Sequence, residues 1–169
     1  KEGSSHAPKL KRLANEAQAI AKPRALYKVG FIESKGDDYV VIDGITLTSR
    51  VLRVNLEPAY RIFPYVATSG IELDDWARSM DDMLDRYSAD MIAEMALRSA
   101  AQALKNHLKE RYRPGATSVM SPGSLPEWPI EEQRQLFALL GNPKETIGVQ
   151  LLDSLLMVPT KSVSGIRFP

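Results

Sequence analysis

The sequence predicts an α+β fold, on three observations. Helical periodicity marks residues 9–21 and 88–111; apolar runs bounded by turn signals mark strands between 25 and 68; and the two kinds of element do not alternate as βαβ units. The 169 residues suit one domain with a core of its own, and no linker divides them, so residues 1–169 read as a single domain. Apolar residues at 44% and charged residues at 25% are the balance of a soluble globular protein. A net charge of +1 provides no strong field for nucleic acid or acidic lipid. The lack of cysteine removes disulfides, thiolate metal sites and cysteine nucleophiles, and it fits a reducing compartment. No apolar run approaches the roughly 20 residues that span a bilayer. The polar segment Lys1–His6 has no signal-peptide core. The expectation is a cytoplasmic protein that contacts neither membrane nor nucleic acid.

The elements follow in order. Residues 9–21 place Leu10, Leu13, Ala14, Ala17 and Ile20 on one helical face, and Pro23 ends the helix. Residues 25–33 read as one strand, 34–38 as a turn and 39–42 as a second strand. Asp43-Gly44 is a two-residue hairpin signal ahead of a strand at 45–48. Ser49 caps a short helix reaching about residue 57, and a strand at 61–68 ends at Ser69-Gly70. Residues 72–86 form a helix whose Glu72, Asp74 and Asp75 suit the positive end of its dipole. The longest helix, 88–111, takes Ser88 as its cap, carries a small-residue face and is stopped by Pro114-Gly115. Residues 114–130, rich in proline and glycine, read as a rigid irregular loop. A helix at 130–140 ends at Gly141-Asn142-Pro143, and 147–168 read as strands broken by turns.

Much of the chemically suggestive content has a plain structural reading. His6 lies in the polar terminus. His107 sits near a helix C-terminus, where a protonated imidazole complements the dipole, and a metal needs several clustered ligands. Asp81, Asp82 and Asp85 share one helical face and read as solvated. The basic run 105–113 reads as a helix end, with contact to an acidic partner as the alternative. Met80, Met83, Met91 and Met95 fall at helical spacing and read as core. Phosphate-loop, dinucleotide and nucleophile-elbow motifs are absent.

Two features remain. Glu94 lies among apolar neighbours on the small-residue helix, where a carboxylate can meet a sulfonium or amine; an exposed glutamate is the commoner outcome. In Ser121-Pro122-Gly123, proline and glycine fix the backbone and let a flat ligand approach main-chain groups. Trp128 can cover such a ligand or anchor the loop in the core, and the second is the general habit of tryptophan.

The tail from Gly148 to Gly165 resembles the end of the reactivation domain of cobalamin-dependent methionine synthase. That family has Gly-x-x-Leu-Thr-x-Ser, then Met-x-Pro, then Ser-Val-Ser-Gly; here Leu152 replaces the threonine, and Met157-Val158-Pro159 and Ser162-Val163-Ser164-Gly165 follow. The short stand-alone members are more similar still, with Ser121-Pro122-Gly123, Trp128, Gln133 and Lys161-Ser162-Val163-Ser164 in the same order. Pro23 and Tyr27, Asp43-Gly44 and Val66-Ala67-Thr68-Ser69-Gly70 extend the resemblance over most of the chain.

The resemblance implies a bent antiparallel sheet flanked by helices. It implies S-adenosylmethionine as ligand, cobalamin carried by a partner rather than bound alone, and a flavodoxin-like reductant. It assigns ligand contact to Glu94, Ser121, Pro122, Gly123, Ser124 and Trp128, with no catalytic residue and no metal ligand. Two positions depart from the family. Val119 stands where the family has an arginine suited to the ligand carboxylate, and Ser124 where it has a tyrosine. One lost charged contact weakens affinity by about 2–5 kcal/mol. Arg111 and Arg113 are the nearby cations that can replace it. The implied function is that of a stand-alone accessory to a cobalamin-dependent methyltransferase, supporting reductive remethylation of an oxidised corrinoid. The chain is not by itself a complete methionine synthase. The alternatives are a corrinoid-protein docking module that no longer binds S-adenosylmethionine, and a binder of another small molecule.

Overall fold

The computed structural model describes residues 3–169, with side chains from Ala7 onward. Lys1, Glu2 and the side chain of His6, read above as part of a polar terminus, lie outside the described residues. The chain opens with α1 (Gly3–Ile20), β1 (Arg24–Tyr27), β2 (Gly30–Lys35), β3 (Tyr39–Ile42), β4 (Ile45–Thr48) and α2 (Arg50–Asn55). It continues through β5 (Arg61–Thr68), α3 (Ile71–Arg78), α4 (Met83–Tyr112) and β6 (Ser118–Met120). A 3-10 turn at Ile130–Glu132 leads into α5 (Gln133–Leu140), and α6 (Pro143–Ile147), β7 (Gln150–Leu151), β8 (Met157–Val158) and β9 (Ser162–Phe168) complete it.

The sheet is antiparallel in the order β4-β3-β2-β5-β9-β6, with β1 also paired to β5. It curls into a half-barrel, so the α+β class with a bent antiparallel sheet is the observed one. β5 is its spine, and its alternation buries both faces. Ile62 and Val66 join the larger core with Trp128, Leu136, Leu139 and Ile166. Phe63, Tyr65 and Ala67 face the other way onto Leu97, Ala100, Leu104 and Leu108 of α4. The sheet is therefore sandwiched between α4 and the layer that holds α2 and α5.

Several sequence expectations are corrected. The single strand expected at 25–33 is two strands, β1 and β2. The break faces Pro64, whose carbonyl accepts from Lys28 N at 3.0 Å but which has no N–H to return. The first helix starts at Gly3 and includes Pro8, instead of starting at residue 9. The long helix begins at Met83, not 88. Asp82 is its cap, accepting from Asp85 N at 3.1 Å, and Ser88 is buried inside the helix. The preceding helix therefore stops at Arg78 rather than 86. The stretch 114–130 holds β6, an edge strand made by pairing with β9. The helix expected to end at Gly141-Asn142-Pro143 does end at Leu140, and the same segment also begins the unexpected α6, with proline in the first turn where its missing N–H costs nothing.

Met83, Met91 and Met95, expected in the core, are exposed at 86%, 52% and 65%. The face of α4 that packs inward is the smaller one of Ala89, Ala93, Leu97 and Ala100, which brings the helix close to β5 and α3. Asp85 pairs with Lys9 of α1 at 2.8 Å. His107 Nε2 meets the hydroxyl of Tyr27 at 2.9 Å, which ties α4 to β1.

Candidate functional site

The Ser121-Pro122-Gly123-Ser124 segment leaves the edge strand β6 as a tight turn. Ser124 N donates to Ser121 O at 3.2 Å, Pro122 occupies the second position and Gly123 the third with φ +85°. A positive φ at that position is what a type II turn requires of glycine. The Ser124 hydroxyl donates to the same Ser121 carbonyl at 2.6 Å, and Gly123 N donates to Trp128 O at 2.8 Å. The turn is thus closed on itself before any ligand is considered. It also presses on β9: a Cβ placed on Gly165 lies 2.6 Å from both Met120 O and Ser121 Oγ. Only glycine lets the loop lie this close. Burial raises the phenol pKa of the neighbouring Tyr65, against the opposing pull of Arg167 and the Ser121 hydroxyl.

Beside this turn is a groove of about 500 Å³. Ser121 and Pro122 line it together with Ser162 and Ser164 of β9, Gln133 of α5 and leucines of the β7–β8 hairpin. The Gln133 carboxamide is held deep in it. Its Nε2 donates to Ser164 Oγ at 2.5 Å and lies 3.5 Å from Met157 Sδ, an acceptor-only thioether. Its Oε1 is buried with no hydrogen-bond partner among the described residues. Such an acceptor is costly unless something donates to it.

Among the described residues the groove has one charged lining residue, Arg78 at the end of α3. Its Nε lies 3.2 Å from Asp74 Oδ2, and its Nη2 donates to Thr160 Oγ1 at 3.2 Å. Asp74 is buried, and its other carboxylate oxygen accepts from Thr160 N at 3.3 Å. α3 is set in place by the end of β5. Gly70, with φ +95°, packs against Lys22 O, and its N–H donates to Thr68 Oγ1 at 3.2 Å. Thr68 Oγ1 also accepts from the Ser162 hydroxyl at 2.9 Å. The buried hydroxyls of β5 and β9 therefore position both the groove wall and its cation.

The residues selected from sequence are only partly brought together. Ser121 and Pro122 line the groove. Gly123 sits behind it against Ile130, and Ser124 points its hydroxyl back into the turn. Trp128 is 0% exposed in the larger core, where it anchors the loop rather than covering a ligand. Glu94 lines a different depression, of about 490 Å³, and is paired with Arg98 at 3.7 Å and Lys161 at 3.9 Å. A smaller hollow shares Arg78 and Thr160 with the groove, and Asp90 and Lys161 with the Glu94 depression, so the two adjoin through it. Arg111 and Arg113, weighed as substitute cations, do not line the groove. Sequence reading missed Arg78 in this role; the Asp74–Arg78 spacing of four residues is the only local signal, and it is common on helices.

No protein-family model matches the sequence. Among solved structures, the crystal structure of the MetH reactivation domain bound to AdoHcy matches with a TM-score of 0.72 at 19% identity, over 97% of this chain and 65% of that one. The fold is that of the MetH reactivation domain. The likeness to the MetH domain read from short motifs thus extends to nearly the whole backbone, while this chain spans 65% of the MetH chain's length. Among the described residues no cluster of three or more metal-ligating side chains occurs, and no helix is long and apolar enough to cross a membrane.

Proposed function

We propose that this chain is a reactivation-like accessory to a cobalamin-dependent methyltransferase, and that it binds S-adenosylmethionine in the groove beside Ser121 and Pro122. The observation that carries the reading is the coincidence of fold and groove. The MetH domain was solved with AdoHcy, and here the proline-glycine turn borders a groove of about 500 Å³. Small-molecule sites fall at about 300–1,000 Å³ and are mostly apolar with a few placed polar groups. The polar residues that line the groove are Arg78, Ser121, Gln133, Thr160, Ser162 and Ser164.

In this reading the corrinoid held by the partner supplies the methyl acceptor, and a flavodoxin-like reductant supplies the electron. This chain's residues bind and orient the sulfonium and leave the chemistry to the cofactor. Val119 and Ser124, the two departures from the family pattern, do not line the groove, whereas Arg78 does. The absence of the family's arginine and tyrosine at these positions therefore leaves the polar residues that line the groove in place, which supports a retained, weaker-bound ligand over a docking module without one.

Isothermal titration calorimetry with S-adenosylmethionine and S-adenosylhomocysteine tests the reading. Saturable one-to-one binding of both is expected. The lack of heat with either at millimolar concentration contradicts it.

A further inference from the structure

We infer that Arg78 takes the carboxylate of the ligand's amino-acid end, which makes the groove selective for an amino-acid-bearing nucleoside thioether or sulfonium over the same nucleoside without its carboxylate. The inference rests on the reading of the groove proposed above and assigns a residue that the family pattern does not supply. A carboxylate at the mouth of a mostly apolar groove is best met by a cation with several donors, and Arg78, whose side chain is half-exposed there, is the one charged side chain lining the groove among the described residues.

The guanidinium is held but not saturated. Nε faces Asp74 and Nη2 donates to Thr160 Oγ1, while Nη1 has no hydrogen-bond partner among the described residues. Arginine presents its donors as a planar fork, so fixing one edge aims the other. Asp74 is able to fix it because its own carboxylate is buried and tied to Thr160 N as well. An ordinary exposed ion pair of the same spacing has neither a buried acid nor a third partner. Here the acid, the hydroxyl and the backbone N–H form a frame that orients the cation at the groove before a ligand arrives. That preorganisation lowers the entropy lost on binding.

Gln133 lines the same groove, with its carboxamide held by Ser164 Oγ at 2.5 Å.

The test compares two probes, S-adenosylhomocysteine and 5′-methylthioadenosine, which share the nucleoside and thioether and differ in the amino-acid end, carboxylate and ammonium together; the carboxylate is the part that a cation such as Arg78 can attract. Wild-type protein, Arg78→Gln and Thr160→Val are titrated with each, after thermal melts show that the variants are folded. Arg78→Gln is expected to weaken S-adenosylhomocysteine by about three- to tenfold, the range of one charged contact at a half-exposed side chain, and to leave 5′-methylthioadenosine unchanged. Thr160→Val keeps the charge but loosens its frame, so a smaller loss confined to S-adenosylhomocysteine is expected. Equal affinities of wild type and Arg78→Gln for S-adenosylhomocysteine, or equal losses for both probes, overturn the inference while leaving the proposed function standing. Failure of the wild-type protein to bind either probe overturns both.

Discussion

At the scale of single residues, Gly165 links the fold to the groove. It is the point on β9 where the 121–124 turn comes within contact of the strand, and its missing side chain is what permits the approach. Gly165→Ala puts a methyl 2.6 Å from a backbone oxygen that cannot rotate away. Overpacking of this kind costs about 1–3 kcal/mol. Urea denaturation should show a lower midpoint with an unchanged slope, together with weakened S-adenosylhomocysteine binding as Ser121 is displaced. An unchanged midpoint contradicts the tight approach. This part of the site was half legible in the sequence. The order Pro122-Gly123 predicts a rigid turn by itself, since proline and glycine suit successive positions of one turn type. That Gly165 is its counterpart depends on β6 pairing with β9, and a three-residue edge strand has no pattern of its own. Arg78 was missed for the same reason. Its relation to Ser121 is purely tertiary, while Arg111 and Arg113 are close to the loop in sequence and distant from its function.

At the scale of elements, the strands bracketed by strong turn chemistry emerge at their expected bounds: 39–42 and 45–48 around Asp43-Gly44, and 61–68 before Ser69-Gly70. The errors arise where a distant partner decides. Pro64 breaks the strand opposite it, and Asp82 takes the cap by accepting from Asp85 N, which leaves Ser88 buried within the helix. The start of α3 carries a testable charge pair. Glu72, in its first turn, pairs with Arg24 of β1. Burial pushes the Glu72 carboxyl up, but Arg24, its backbone hydrogen bond and Lys22 together bring it below the ordinary 4.5. A carboxyl whose folded value is depressed stabilises the fold above its unfolded value, and that contribution is lost as pH falls through the folded one. Glu72→Gln should therefore be less stable than wild type near neutrality, and the gap should close in acid below about pH 4.5. Denaturation at the two pH extremes checks this. A gap that widens in acid has the wrong sign for the pair.

At the scale of the whole molecule, one sheet serves two purposes. Its spine, β5, is buried on both faces, and its far edge, β9 with β6, forms one side of the groove. The α+β class was legible from periodicity, because helices and strands are each strongly patterned. The curl of the sheet was expected only from the family resemblance, since it depends on how β1 and β2 share one edge of β5. The site divides in the same way. Ser121 and Pro122, contiguous in sequence and marked there by turn chemistry, line the groove, whereas Gln133, noted only as a family mark, is brought to it by the packing of α5 against β9. Glu94 is near but in an adjoining depression, already paired with Arg98 and Lys161. Where a ligand binds therefore matters as much as whether it binds. Amide chemical-shift mapping of the protein with S-adenosylhomocysteine reports both. The shifts should concentrate at Ser121, Gly123, Gln133 and Ser162–Ser164, the frame of the groove. An absence of shifts at saturating ligand, or shifts confined to α4 around Glu94, contradicts the assignment of this groove as the ligand site.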